Sequence, residues 1–479
     1  MRFSNIAYSL SLPCLILAGS MLLPLGFSIY YRDGQTLMFL GHAGALLLLS
    51  LGMRLLNRRP RELSVREGFL VVSLSWGLMS LLGSLPFFFS RAVPSLTDAF
   101  FETMSGFTTT GATILRDIES VPESLLVWRA MTHWLGGMGV IALAVAIFPF
   151  LGVGAYQLFK AEVPGPIKDR ISPRISQTAK ILWQVYILFT AAETVLLMLG
   201  GLSFYEALNT TFATMATGGF TVKNANIAAF PSAYIHYVVI AFMFLAGVNF
   251  SLHYWALRGR IGSYLRDPEY RFFLAVILLA TTGITFLRVA HGERLTEELV
   301  RGSLFQTVSI ATTTGFITQN YELWPLAAQI ILLLLMFTGG CSSSTGGAMK
   351  NVRIMVLFKF IGGEIKKLFH PHSLFPVKLG GKPVPEGVCA NVMAFLAFYI
   401  LFFTVGVFLL VLLELDLVTA VGAAAATLGN VGPGLGTVGA VENYAHLPAL
   451  AKWVLSILMM AGRLEIFPIM VIFSRHFWR

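Results

Sequence analysis

The feature that most narrows what this chain can become is a series of ten apolar stretches, at about 6–30, 36–56, 68–90, 126–152, 178–202, 232–257, 270–290, 324–359, 388–414 and 446–474. About 20 apolar residues, rising about 1.5 Å each, cross a hydrocarbon layer of about 30 Å, so each stretch reads as a crossing. Composition agrees: 56% of residues are hydrophobic and 12% charged, against about 25% charged in a soluble domain. The first stretch is too long for a signal-peptide core and lacks a small-residue cleavage site, so it reads as a retained span. With the second it makes a helical hairpin about Asp33 and Gly34.

The net charge of +10 could point to nucleic acid in a soluble protein, but here Lys and Arg sit in short connections between apolar stretches. Arg54, Arg58, Arg59, Arg61 and Arg66 form one such set. Lys160, Lys168, Arg170, Arg174 and Lys180 form the next, and Arg258, Arg260, Arg266 and Arg271 a third. A fourth holds Lys350, Arg353, Lys359, Lys366, Lys367, Lys378 and Lys382. The alternate connections are mixed or acidic, with Asp98, Glu102, Asp117, Glu119 and Glu123, then Glu206, then Glu293, Glu297 and Glu298, then Glu414, Asp416 and Glu442. By the positive-inside rule the basic side is cytoplasmic, and Arg2, Arg475 and Arg479 put both termini there. Cys14, Cys341 and Cys389 are scattered and imply neither disulfides nor a metal site.

Between the last eight crossings, on the external side, lie four segments of about a dozen apolar or small residues, too short to cross. Such a segment fits a short pore helix that dips in and returns as extended backbone, which is tolerated only where protein or water shields it. Each ends in a comparable pattern: Phe107 to Gly111 through three threonines, Met215-Ala216-Thr217-Gly218-Gly219, Thr312-Thr313-Thr314-Gly315, and Leu428-Gly429-Asn430-Val431-Gly432. Gly111, Gly219, Gly315 and Gly432 are separated by 108, 96 and 117 residues. A period near a hundred residues is too long for a solenoid and fits a unit of two crossings around one dip. The fold class expected is therefore all-α integral membrane: four pseudo-symmetric helix, pore loop, helix repeats around one pore, plus an N-terminal helical hairpin. The divisions fall at 1–60 (hairpin), 61–160, 161–262, 263–370 and 371–479.

A bare alkali cation must exchange its water shell for oxygen ligands, and backbone carbonyls supply these in potassium filters. Glycine at the turning point permits positive φ and lets four strands approach one ion, while neighbouring threonines add hydroxyl oxygens. Helix-starting residues precede each dip: Thr97 and Asp98, Ser203 with Glu206, Thr296 with Glu297 and Glu298, and Asp416. Short helices begun there would aim their negative C-terminal ends at a cation. The bland alternative, small residues packing helices closely, explains one such segment better than four in register. The expected ion-binding residues are Thr109, Thr110, Gly111, Thr217, Gly218, Gly219, Thr313, Thr314, Gly315, Asn430, Val431 and Gly432.

These four motifs resemble the filters of the Trk/Ktr/HKT superfamily of potassium transporters. So do Trp134-Leu-Gly-Gly137-Met-Gly139, the Gly339 to Gly347 run, and Gly462-Arg463-Leu464-Glu465. The resemblance covers essentially the whole chain, and the extra hairpin is similar to the TrkH branch. It implies potassium as the transported ion, no enzymatic activity, and a place in the bacterial cytoplasmic membrane. It also implies a homodimer with one pore per protomer, resting on a cytoplasmic ring of TrkA-type nucleotide-binding subunits. Resemblance to plant members implies that serine in place of Gly111 would favour sodium, so glycine there points to potassium. The fourth filter departs from the threonine pattern at Asn430 and Val431, which makes the hydroxyl ring unequal while leaving carbonyls to line the site.

The stretch at 324–359 would reach about 54 Å as one helix, against a core of about 30 Å, so it must tilt strongly or break. Gly339, Gly340, Ser342, Ser343, Ser344, Thr345 and Gly346 are poor helix formers and place the break. Beneath the filter such a polar loop would act as a gate, as the matching loop does in the family, and the lysine-rich half-helix beyond it offers a lever. Arg463 lies within the last span, where a charge needs water or a partner. It would form an electrostatic barrier in the pore, or pair with Glu465 or a carboxylate of another repeat, although residues two apart on a helix do not face each other. Glu193 is a second intramembrane charge, read either as functional or as a helix–helix hydrogen bond, and His133 reads as a packed histidine.

A sodium- and potassium-permeable or proton-coupled transporter, and more distantly an organic-solute carrier with broken helices near the midplane, are the competing readings. Carriers usually show twofold rather than fourfold repetition. No paired carboxylates, metal cluster or nucleophile motif marks an enzyme, and no Gly-x-Gly-x-x-Gly follows a strand, so a nucleotide site would belong to a partner chain.

Overall fold

A computed structural model describes residues 3–55, 63–147, 175–373 and 375–478. The basic residues Arg58, Arg59, Arg61, Lys160, Lys168, Arg170 and Arg174, the terminal Arg2 and Arg479, and the divisions at 60/61 and 160/161 lie outside the described residues. The described chain is mostly helical. Its strand pairing is a two-residue antiparallel bridge, Lys378–Leu379 with Lys382–Pro383.

Among the described residues six helices are long and apolar enough to cross a membrane: Phe3–Tyr31, Thr36–Leu55, Arg66–Phe89, Ala179–Leu199, Pro268–Ala290 and Glu386–Leu412. A seventh candidate, expected as one crossing at 232–257, is instead two helices, Ala233–Gly247 and Phe250–Leu257, bent by 107°. The break has a local cause, because Val248 is extended and the Asn249 side chain accepts from Ser251 N at 2.8 Å, starting a new helix. The stretch at 324–359 breaks where its glycines and serines lie, into Leu326–Thr338 and Asn351–Phe369. A third break falls in 446–474, expected as one crossing: Ala449–Arg463 ends before a turn in which Glu465 and Ile466 both take left-handed φ, 55° and 62°. For a β-branched isoleucine that conformation is strained.

Four short helices, Leu96–Phe107, Phe204–Ala216, Glu297–Ala311 and Leu417–Leu428, form in the four segments that are too short to cross. At 12 to 15 residues they reach about 18 to 23 Å, too short to cross. Side chains cap all four N-termini: Ser95 onto Asp98 N, Ser203 onto Glu206 N, Thr296 onto Leu299 N, and Asp416 onto Thr419 N. Ser203 and Glu206 complete a reciprocal capping box. The first helix therefore starts at Ser95 rather than at Thr97 and Asp98. Apolar packing ties these helices together, with Phe101, Phe107, Ala423 and Leu428 in one buried cluster and Phe305, Ile310, Met336 and Val431 in another.

The N-terminal hairpin is fixed to this assembly through Asp33, in the turn between its helices. Its carboxylate accepts from Ser28 Oγ at 2.6 Å, Gln35 N at 3.1 Å and Ser124 N at 3.1 Å. Burial works against the charge, but these donors outweigh it and hold the Asp33 carboxyl below the usual aspartate range. A lowered folded pKa means that the contribution is complete above the ordinary aspartate pKa and is lost as pH falls through the lowered value. Melting temperature measured in detergent should therefore drop across that acid window more for the wild type than for Asp33→Asn; parallel curves would remove Asp33 as the tie.

Candidate functional site

Beyond each short helix the chain turns through the same backbone conformation. Thr109, Thr217, Thr313 and Asn430 take φ of 52°, 55°, 62° and 54°, and two residues later Gly111, Gly219, Gly315 and Gly432 take 84°, 83°, 77° and 100°. One hydrogen bond recurs at 2.8 Å in all four: Thr110 N to Ser105 O, Gly218 N to Ala213 O, Thr314 N to Ser309 O, and Val431 N to Ala426 O. The four loops also meet. A Cβ on Gly111 would lie 3.2 Å from the carbonyl carbon of Gly218, one on Gly219 3.2 Å from that of Gly315, one on Gly315 3.1 Å from that of Val431, and one on Gly432 3.0 Å from that of Gly111. Contact therefore runs from loop one to two, three, four and back to one. At these glycines both the positive φ and the closeness of the next backbone exclude a side chain.

Most side chains expected to add oxygens are engaged within the protein. The hydroxyls of Thr108 and Thr110 are 2.8 Å apart, as are those of Thr312 and Thr314. Thr217 Oγ1 donates to Ala216 O at 2.6 Å, and Thr313 Oγ1 accepts from Gly347 N at 2.7 Å. Asn430 Nδ2 donates to Thr110 Oγ1 at 3.0 Å and Met459 O at 2.9 Å, which links the fourth loop to the first. Thr109 Oγ1 is buried without a hydrogen-bond partner. The Gly432 carbonyl accepts from Tyr444 Oη at 2.7 Å, and the Gly434 carbonyl from Tyr321 Oη at 2.7 Å, so tyrosines anchor the fourth loop.

The broken segment at 339–350 is buried against these loops. Glu269 Oε1 accepts from Ser342 N at 2.8 Å, Ser342 Oγ at 3.2 Å and Val352 N at 3.0 Å, gripping the segment and the start of the following helix together. Thr345 Oγ1 donates to Met215 O at 3.0 Å, directly behind the second loop. Ser344 Oγ donates to Cys341 O and Asn351 Nδ2 to Gly339 O, while Lys350 Nζ binds the Gly346 carbonyl. The bend at 248–249 joins the same network: Cys341 N donates to Gly247 O, Thr345 N to Ala246 O, and Phe250 N to Ser343 O. Two breaks in two helices thus supply each other's missing partners.

Arg463 also reaches this segment. Its Nη1 donates to Thr345 O at 2.7 Å and its Nη2 to Gly136 O at 3.2 Å, while Nε has no partner. The alternative of an ion pair is not met among the described residues: Glu465 pairs at 2.5 Å with Arg353, whose guanidinium also stacks 4.0 Å from the Phe395 ring, rather than with Arg463. Glu193 is fully buried; Thr214 lies beside it but donates to Thr210 O, and neither carboxylate oxygen makes a hydrogen bond.

Behind the first two loops is a cluster that sequence reading missed. Arg129 Nε meets Glu102 Oε1 at 2.6 Å, both side chains being buried, and Arg129 Nη1 donates to Thr221 O at 3.0 Å. Glu102 accepts as well from Ile114 N at 2.8 Å. Breaking a buried pair of this kind by removing one partner costs about 3–5 kcal/mol. The residues are 27 apart on different helices, so no sequence spacing announces the pair.

Comparison with known proteins follows the same lines. The family model for TrkH, described as a cation transport protein, matches residues 41–478. The Trk system potassium uptake protein TrkH of Escherichia coli K12 is 41% identical over 488 residues, covering 100% of both chains. TrkG of the same organism is 34% identical over 465 residues, covering 96% of this chain and 95% of its own. The crystal structure of the potassium transporter TrkH from Vibrio parahaemolyticus superposes with a TM-score of 0.92 at 37% identity, covering 100% of both chains. Together with the six membrane-length helices, these matches make the chain a multi-pass membrane transport protein rather than an enzyme, and a member of the TrkH family.

Proposed function

We propose that this chain takes up potassium across the bacterial cytoplasmic membrane through a filter formed by residues 109–111, 217–219, 313–315 and 430–432. The closed ring of four loops in one backbone conformation carries this reading. Relatives spanning the full length are named potassium uptake proteins. Four short-helix C-termini lead into the ring, each worth roughly half a negative charge, which favours a cation at its centre. The units 61–160, 161–262, 263–370 and 371–479 each supply one loop, and 1–60 is an added hairpin. Gly219→Ala or Gly315→Ala should abolish flux or lower the potassium-to-sodium uptake ratio in liposomes, because each forces a positive φ on alanine and pushes against the next loop. An unchanged ratio in both would reject the filter.

The segment at 339–346 serves as the gate in this reading, with Arg463 as an electrostatic barrier beside it. What supports it is the buried seat of the segment behind the second and third loops and the hold of Arg463, Glu269 and Thr313 upon it. Beyond it, Asn351–Phe369 presents Lys359, Lys366 and Lys367 together with exposed Phe358, Ile361, Ile365, Leu368 and Phe369. A cytoplasmic TrkA-type ring and a second protomer are the partners such a surface suits, with both termini on that side. Deleting residues 340–346 should give high flux independent of the cytoplasmic partner, and Arg463→Ala a raised leak. Partner-dependent flux in the deletion, or loss of Arg463→Ala from the membrane without any gain in flux, would count against the gate.

A further inference from the structure

We infer that His133 is a positioning residue for the potassium filter, holding the second filter strand in place from the first unit; the inference rests on the filter reading above. His133 lies in the Glu123–Ile147 helix and is fully buried. Its Nδ1 is 2.8 Å from Gly106 O, at the end of the first short helix, and its Nε2 is 3.3 Å from Phe220 N, just past the second filter glycine. A carbonyl only accepts and an amide only donates, so the ring carries its proton on Nδ1 and offers a lone pair at Nε2. One imidazole thereby joins two units.

The contact is steric as well as polar. A Cβ on Gly218 would lie 2.5 Å from His133 Cγ, 2.6 Å from Nδ1 and 2.7 Å from Cδ2, so the ring occupies the space a side chain at 218 would need. The Phe220 ring packs 4.0 Å from the imidazole, and the Arg129 guanidinium packs 3.5 Å from the Phe220 ring while binding Thr221 O. Gly218, Phe220 and Thr221 are thus all fixed from behind by one helix.

The other loops show why the second needs this. Loops one and three each carry a hydroxyl pair, Thr108 with Thr110 and Thr312 with Thr314, and loop four uses Asn430. At the positions matching those pairs loop two has Ala216 and Gly218, which have no hydroxyl. His133 supplies across the unit boundary what the loop cannot supply itself.

The test compares full-length His133→Phe, which keeps a flat aromatic ring, slightly larger, and loses both hydrogen bonds, with His133→Gln, which can keep one. Each is reconstituted in liposomes, and potassium and sodium uptake are measured per inserted protein. The potassium-to-sodium ratio should fall about tenfold in His133→Phe, the scale of a buried donor left without its partner, and less in His133→Gln. A wild-type ratio in His133→Phe overturns the inference whatever the rate; should that variant fail to insert, a wild-type ratio in His133→Gln overturns it. Failure of both to insert would assign His133 to folding instead. Gly219→Ala and Gly315→Ala run alongside: if they lose selectivity while His133→Phe keeps it, only this inference falls, and if all keep it the filter reading falls as well.

Discussion

Backbone amides and carbonyls outside helices must find partners inside the protein, because hydrocarbon offers none and each orphan costs several kcal/mol. Four extended loops and three helix breaks would be prohibitive on that account. The structure meets the demand by pairing irregular segments with one another. The break at 248–249 and the segment at 339–350 exchange three backbone hydrogen bonds, and Gly347 N is taken by Thr313 Oγ1. Buried polar side chains do the same work: Glu269 for Ser342 N and Val352 N, Glu102 for Ile114 N, Arg463 for the Thr345 and Gly136 carbonyls.

The four loops share a conformation but not their anchors. Hydroxyl pairs hold the first and third, an imidazole the second, and an asparagine with two tyrosines the fourth. Near-symmetry of the backbone therefore coexists with four different chemical settings. A cation at the centre would meet equivalent geometry with unequal stiffness around it.

Much of this was legible in the sequence because it rests on local rules. Glycines in register, helix-starting Ser203, Thr296 and Asp416, and the glycine- and serine-rich break at 339–346 are each readable within a few residues. Ser95 was missed because Ser95, Thr97 and Asp98 compete for the same cap within four residues. The bends at 248–249 and 464–466 carry no run of glycines; the Asn249 cap is the one local signal at the first, and contacts far along the chain hold the turned backbone, from Ser343 and Cys341 in one case and Arg353 in the other. Arg463 finding carbonyls, and Arg129 finding Glu102, depend on which helices become neighbours. No periodicity encodes that.

The exchange of hydrogen bonds between the bend and the broken segment has a consequence for motion. Displacing the segment would leave the carbonyls of Ala246 and Gly247 and the amide of Phe250 without their present partners. Helix geometry cannot reclaim them, since the chain is bent by 107° at that point. Water is the natural replacement, so displacing the segment would require hydrating the groups it leaves. If the segment moves as the proposed gate, the balance between its positions would respond to the activity of water itself, shifting toward the packed state under osmotic stress from solutes too large to enter.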